Sequence, residues 1–324
     1  MVGDVVDLLG EYLVRDVRAQ DKAEVLALTA HTWDFGDYIQ YVFDDWLADP
    51  SGRFLVAEEQ ASGRIVALDK LSMLSPTEAW FEGLRVHSDY RGRGLASGLQ
   101  KYMIGEAARL GAQAVRLTTL ATNRPVHLAC YRDGFTLKCV VRFWKWEDGD
   151  LAATADEGSA AYKLRYATPQ EATTLYEWWR RAAAFRTAGL AHHSWSFAQT
   201  SADEWEAAAA ERRLLVREDA PIDLNAMPPP TVLVRNDTNH RNEPIWVLSA
   251  LTALGEEWSP LLRGLVNAAC QAGIREINGL QPDMHDMYVG LKSAGFAGDG
   301  DEDRLCLFEL SPIPLMSEDQ RDLR

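Results

Sequence analysis

Apolar and polar positions alternate over 13–18 with the two-residue period of a half-buried strand. Asp21 then stands as a cap before a helical pattern through Val25, Leu26 and Leu28. An aromatic-rich stretch follows at 31–49, carrying Trp33, Phe35, Tyr38, Tyr41, Phe43 and Trp46. Segments 54–58 and 64–71 predict a hairpin across Ala61, Ser62 and Gly63. The apolar run 79–86 predicts a strand that feeds a glycine-rich turn. From Gly94 onward Leu95, Leu99, Tyr102, Met103, Ala107 and Leu110 have helical spacing, and Gly111 suits the helix end. A strand at 115–120, a helix at 124–132 stopped by Gly134, and a long strand at 136–146 close this unit.

Segment 148–160 is small, polar and unpatterned, which reads as a linker. Beyond it the order recurs. A strand at 162–166 precedes a helix opening at Thr168 and Pro169, a start signal for helices. Strands follow at 214–217, 231–235 and 245–250, then a helix over 257–272 that ends at Gly273. The closing segments correspond: Phe135 lies 24 positions after Gly111, and Phe296 lies 23 after Gly273. Tandem duplication of one α/β unit accounts for this, the alternative being two unrelated units with the same helix-to-strand punctuation. The expected organisation is a domain at 1–148, a linker at 149–161 and a second domain at 162–324. Each domain is expected to be α/β, a mixed, mostly antiparallel sheet flanked by helices.

Composition narrows the class without changing that picture. The 324 residues carry a net charge of −15, split as −5 before residue 151 and −10 after it. Neither half is a basic module, which argues against nucleic acid or an anionic membrane as partner. Cys130, Cys139, Cys270 and Cys306 have no metal-ligand spacing, so no metal is expected and free thiols in a reducing compartment are. The N-terminal segment is acidic where a signal peptide needs basic residues, and no apolar run approaches the ~20 residues of a membrane span. A cytoplasmic protein is the expectation, as monomer or homodimer.

The chemistry concentrates at the glycine turn. A strand ending in Arg91, Gly92, Arg93, Gly94 and then opening a helix leaves backbone N–H groups for an anion such as pyrophosphate. The corresponding place in the second half is Leu254, Gly255, Glu256, Glu257, Trp258, where two carboxylates stand in place of the glycine pattern. That half is expected to have lost anion binding.

Arg91, Gly92, Arg93, Gly94, Leu95 and Ala96 resemble the signature turn of the GCN5-related N-acetyltransferase (GNAT) superfamily, [Gln/Arg]-x-x-Gly-x-[Gly/Ala]. Asn123, Gly134 and Phe135 keep the spacing of a second family signature. The resemblance implies two tandem GNAT-like units, the second degenerate, and an acetyl-CoA-dependent N-acetyltransferase acting in a ternary complex. It implies that Leu84, Arg85 and Val86 line the pantetheine arm, and that the turn from Arg91 through Ser97 holds the pyrophosphate. Asn123 joins this cofactor set. The family's tyrosine acid falls on Cys130, with Tyr131 one place later, about 100° around a helix. Cys130 is therefore either the acid or a packed small hydrophobe. Glu82, two residues before Leu84, is the candidate base, the alternative being a structural pair with Arg85 or Arg116. His87 and His127 are weaker candidates.

On the acceptor side, Trp33, Asp34, Asp37 and Tyr38 would suit a small cationic or aromatic amine through ion-pair and cation–π contacts. Gly36 to Pro50, followed by Glu82 to Gly94, further resembles the histidine N-acetyltransferase group, which implies the α-amine of an amino acid as acceptor. Two other readings stay open: a mycothiol-synthase-like tandem acetyltransferase, and a non-catalytic acyl-CoA sensor.

Overall fold

The computed structural model describes residues 6–8, 10–30, 32, 36–148, 160–193, 195–239, 241–298, 300 and 303–313. Most of the expected linker 149–161, and Trp33 and Asp34, lie outside the described residues.

Chain order begins β1 (Val6–Leu8), β2 (Tyr12–Asp16), α1 (Lys22–Thr29), α2 (Ile39–Ala48), β3 (Arg53–Glu59), β4 (Ile65–Ser75) and β5 (Glu78–Val86). It continues with α3 (Leu95–Arg109), β6 (Ala114–Leu120), α4 (Arg124–Arg132) and β7 (Thr136–Glu147). After the linker come β8 (Leu164–Tyr166), α5 (Pro169–Arg186), β9 (Ala191–His193), β10 (Ser196–Ala198), α6 (Ala202–Ala210) and β11 (Leu214–Arg217). The chain closes with β12 (Thr231–Thr238), β13 (Pro244–Thr252), α7 (Trp258–Gln271), β14 (Glu276–Pro282), α8 (His285–Ser293), β15 (Ala297–Gly298) and β16 (Leu305–Leu310). The expected strands and helices all appear. The β9–β10 hairpin and α6 were not legible in the hydrophobic pattern. Three-residue strands are too short to show a period, and α6 is mostly alanine and acid.

Two compact units emerge, and they cut across the expected division at residue 148. The first comprises Met1–Thr118, Pro125–Thr136 and Phe308–Arg324; the second comprises Thr119–Arg124 and Leu137–Leu307. β7, but for Thr136, therefore falls in the second unit, and the end of β16 from Phe308 falls in the first. In the first unit the sheet runs β1-β2-β3-β4-β5-β6, and the end of β16 takes the place beside β6. In the second it runs β7-β14-β13-β12-β11-β8. β5 with β6 and β13 with β14 pair in parallel, while neighbours along β1 to β5, β7 with β14, β13 with β12, β12 with β11 and β11 with β8 pair antiparallel, the mixed pattern expected.

Charge burial holds the end of β16 in the first unit. Arg116 on β6, nearly inaccessible, bonds Glu78 of β5 and Glu309 of β16 (Nε–Oε2 2.7 Å). Removing Arg116 would take the buried counter-charge from both carboxylates, at a cost of about 3–5 kcal/mol. On the β3–β4 face, α1 and α2 bury Val25, Ile39, Phe43 and Trp46 against Phe54, Val56 and Leu68. Leu95, Leu99, Met103 and Ala107 form the buried stripe of α3, at the i, i+4 spacing that one helical face requires. The second unit packs α7 and α8 through Trp258, Leu262, Val266 and Leu291 onto Trp144, Trp146, Trp246 and Ile277. A separate cluster joins α5 and α6 to β11 through Leu175, Trp179, Trp205 and Leu214.

Candidate active site

β5 pairs with β6 in parallel from Glu78↔Ala114 to Trp80↔Arg116. On its other edge β5 meets β4 antiparallel, with a register shift between Leu68↔Arg85 and Lys70↔Glu82. Gly83 and Leu84 there oppose the single residue Asp69, so β5 carries a bulge. Gly83 adopts φ 75°, and a Cβ on it would lie 2.6 Å from the Trp46 ring. Only glycine fits this kink. Past the bulge the His87 N–H reaches Val66 C=O on β4 at 2.9 Å. By strand alternation, the backbone groups of Val86 then face away from β4.

The turn follows at once. Gly92 and Gly94 have φ of 75° and 85°, and Gly94 caps α3. The first amide to bond back within the helix is that of Gly98, to Gly94 C=O at 2.9 Å. The N–H groups of Leu95, Ala96 and Ser97 therefore have no intrahelical acceptor, and the first turn of α3 carries no acid. Arg91 bonds back to Val86 C=O (3.1 Å), while Arg93 bonds Asp89 C=O (2.9 Å) and lies 5.0 Å over the Tyr90 ring. Both guanidinium groups are thereby kept beside the turn. This cradle suits a pyrophosphate: donors converge, left-handed glycines leave the backbone bare, and the charge is positive.

Glu82 sits just before the bulge, half-buried, its Oε1 accepting the Ser72 hydroxyl at 3.0 Å. Neither arginine considered as its partner takes it: Arg116 holds Glu78 and Glu309, and Arg85 holds Asp37 (Nε–Oδ2 2.7 Å). Burial raises the Glu82 carboxyl above its ordinary value, against the pull of the Ser72 bond and the Lys70 ammonium. Lys70 is itself fully buried and tied to Asp49 and to Leu71 C=O (2.8 Å). Asp69, at 1% exposure, is a second buried carboxyl, raised well above the usual range by burial. Sequence reasoning missed Ser72, Lys70, Asp49 and Asp69. A lysine within the apolar run 64–71 was the available signal.

Other candidates are placed differently from expectation. Asp37 is buried; besides Arg85 it caps the start of α2 through the Ile39 N–H (3.1 Å). With both oxygens engaged it does not offer an ion pair to an incoming amine, and instead ties the start of α2 to β5. Tyr38 remains at the surface, with Arg85 5.6 Å from its ring and Trp46 edge-on at 5.9 Å. Cys130 is 0% exposed, and burial pushes its thiol up to about 12. It keeps its proton at neutral pH and packs as a small hydrophobe, not as an acid for a departing thiolate. Tyr131 is exposed and meets Phe308 edge-on at 5.4 Å. His87 accepts the Asp89 N–H, and the His127 ring packs on Phe308. Asn123 falls in the second unit, where its amide donates to the Thr119 hydroxyl at 3.0 Å.

The second unit has a parallel strand pair of the same kind, β13 and β14, in register at Trp246↔Ile277 and Val247↔Asn278. Beyond this register His192 of β9 spans the two strands. Its Nδ1 donates to Leu248 C=O (2.9 Å), and its Nε2 takes the Leu280 N–H (3.4 Å). Gln281 donates to the same Leu248 carbonyl (3.1 Å), and Ser249 to His192 C=O (2.7 Å). Burial holds the His192 imidazole down to about 3, so it is neutral and serves as a backbone bridge. A cavity of about 20 Å³ is left there, space for roughly one water. At the start of α7, Glu257 accepts the Leu254 N–H at 3.1 Å.

Residues 21–135 match the family model described as the acetyltransferase (GNAT) family. A human protein named probable N-acetyltransferase 16 is 30% identical over 112 residues, 34% of this chain and 30% of that protein. The match thus spans under a third of that relative's length. A GCN5-related N-acetyltransferase from Sphaerobacter thermophilus superposes with a TM-score of 0.58 at 13% identity, covering 96% of this chain and 99% of its own. A tandem GNAT protein from the clavulanic acid biosynthesis pathway gives 0.52 at 16%, covering 94% and 99%. Residues 21–135 thus match the GNAT family by sequence, and over nearly its whole length the chain shares its fold with these two structures.

Proposed function

We propose that this chain transfers an acetyl group from acetyl-CoA to the primary amine of a small molecule, directly within a ternary complex. The observation that carries this reading is the continuous run of bulged β5, left-handed Gly92 and Gly94, and an acid-free α3 N-terminus. The donor, once bound, supplies an activated acyl thioester. Amides of the 91–97 turn hold its pyrophosphate, with Arg91 and Arg93 adding charge. The outward edge of β5 at Leu84, Arg85 and Val86 pairs with the pantetheine arm. Backbone donors aimed at a carbonyl that gains negative charge suit acyl transfer.

Glu82 is the base in this reading. A carboxyl raised by burial, with a serine hydroxyl and not an arginine as its hydrogen-bond partner, can accept a proton from an acceptor ammonium, directly or through water. No acid is assigned, because Cys130 is buried and firmly protonated. A thioester's thiolate leaves without much help. The second unit takes no donor in this reading, since His192 fills its strand gap and Glu257 occupies its helix start. For the acceptor, the α-amine of a free amino acid such as histidine is the finer proposal. It rests on the similarity of Gly36 to Pro50, and of Glu82 to Gly94, to the histidine N-acetyltransferase group.

Free-thiol release from acetyl-CoA, followed across amino acids and polyamines with mass detection of the product, tests this. A single +acetyl product with matching thiol release is expected, on histidine or another amino acid. Tight CoA binding with no release on any amine would turn the reading to an acyl-CoA sensor.

A further inference from the structure

Away from α7 and α8, the second unit carries a pocket that acetyl transfer does not use. Strand alternation sorts the two faces of its sheet. Trp144, Trp146, Trp246 and Ile277 point to the helix-packed core. Their neighbours Phe143, Ile245, Val247, Glu276 and Asn278 stand on the opposite face. There, with Trp195 from the turn between β9 and β10 and Asp237 from β12, they line a pocket of about 220 Å³. That is smaller than the ~300–1,000 Å³ of drug-sized ligand sites, so its ligand is small.

The lining is aromatic on one side and anionic on the other. Trp195 stacks on Phe143, with centroids 5.0 Å apart and planes 12° from parallel, yet stays 57% exposed. A tryptophan held rigidly by one face while more than half uncovered is a ready cation–π platform. Glu276, at 8% exposure, is fixed by Asn278 (2.8 Å) and Asn239 (3.3 Å). Asp237 accepts the Thr238 N–H at 2.7 Å and has no ion-pair partner among the described residues. Lys145 lies 3.6 Å from Glu276 and 2.7 Å from Glu147, so its one charge is shared between two carboxylates. Arg235, two residues along the same face of β12, turns its guanidinium to His193 instead (3.2 Å). Among the described residues, no lysine or arginine lines the pocket. Two carboxylates beside an aromatic shelf complement positive charge on an apolar body.

We propose that this pocket binds a small organic cation, an alkylammonium or quaternary ammonium ion, against Trp195 with Asp237 and Glu276 supplying the counter-charge. The site is independent of the acetyl-CoA reading, because every residue lining it lies in the second unit.

Calorimetric titration of the full chain with choline, putrescine and the neutral choline isostere 3,3-dimethylbutan-1-ol tests it. Saturable one-to-one binding of choline or putrescine is expected, with the neutral isostere about tenfold weaker or worse. Trp195→Ala and Asp237→Asn should each cost about tenfold, the order of one cation–π or ion-pair contact, and Trp195→Phe should restore most of the loss. Both side chains are exposed, so the variants should fold, as circular dichroism would check. Glu82→Gln should leave this binding unchanged, which separates the pocket from an acceptor site in the first unit. The proposal falls if neither cation binds, if the neutral isostere binds as well, or if Trp195→Ala and Asp237→Asn both retain full affinity. Loss of binding in Glu82→Gln would likewise overturn it.

Discussion

The turn before α3 and the turn before α7 each follow the first strand of a parallel pair, β5 and β13, and they treat the same physics in opposite ways. Each helix start presents amides and a partial positive charge. Before α3 the chain supplies two left-handed glycines and no carboxylate, leaving those donors to an outside anion. Before α7 it supplies Glu256 and Glu257, and Glu257 closes the turn on Leu254. The strand pairs differ likewise: His192 bonds both β13 and β14, whereas β5 carries a glycine bulge beside Glu82. A helix N-terminus is thus a binding site only while the chain's own groups leave it unoccupied.

The most forceful way to break this contrast is to make the first turn resemble the second. Gly94→Glu puts a carboxylate beside the proposed pyrophosphate and an L-residue at a left-handed φ. A like charge at that range opposes binding by about 4 kcal/mol, so CoA affinity should fall on the order of 10³-fold in titration calorimetry. Affinity retained within threefold would end the cofactor assignment.

Glu82→Gln should lower kcat by about 10²-fold at neutral pH, with the deficit shrinking at higher pH as free amine becomes plentiful. A change confined to KM would count against a base. The same variant has a stability signature of fixed sign. Because burial raises the folded-state pKa of Glu82 above the ordinary 4.5, stability falls as pH rises from 4.5 through the raised value and stays lower above it. The glutamine variant should therefore melt higher at pH 7–8, and this advantage should vanish below about pH 4.5, where both states hold the proton. An unchanged melting difference across that range would contradict a buried, raised carboxyl.

On the other side of the comparison, the His192 bridge should make the second unit acid-sensitive. Its folded-state value of about 3 lies below the ordinary 6.5, and His193 is held down to about 4. Below pH 6.5 the unfolded chain takes up protons that the folded unit refuses. Stability should therefore fall by up to ~1.4 kcal/mol per pH unit for each histidine, until the folded values are reached. Urea unfolding at pH 6.5, 5.5 and 4.5 reads this slope, and His192→Gln should remove one proton's worth of it. The smallest expected effect is none at all. Glu256→Gln with Glu257→Gln should leave CoA stoichiometry at one per chain, since His192 still spans the strands; two equivalents would sharpen the contrast down to the carboxylates alone.

Much of this was legible in the chain. Gly92 and Gly94 announce left-handed backbone, the buried stripe of α3 follows its i, i+4 residues, and the Glu256–Glu257 pair marks a turn of another kind. Asp37, Cys130 and Glu82 were not legible in the same way. Each is a residue type with both structural and chemical uses, and partners decide between them. Arg85 lies 48 residues from the Asp37 it engages, and Arg116 lies 193 residues from Glu309. No local pattern encodes such pairings.

By itself the sequence determined the order of elements, their α/β class and the left-handed glycine turn before α3, because hydrophobic period, capping residues and glycine act over a few positions. Only the tertiary structure decided that β7 falls almost wholly in the second unit, that Glu82 escapes both arginines, and that His192 fills one strand gap. Those outcomes depend on which distant side chains compete for the same buried charge or carbonyl, and that competition exists only once the chain has folded.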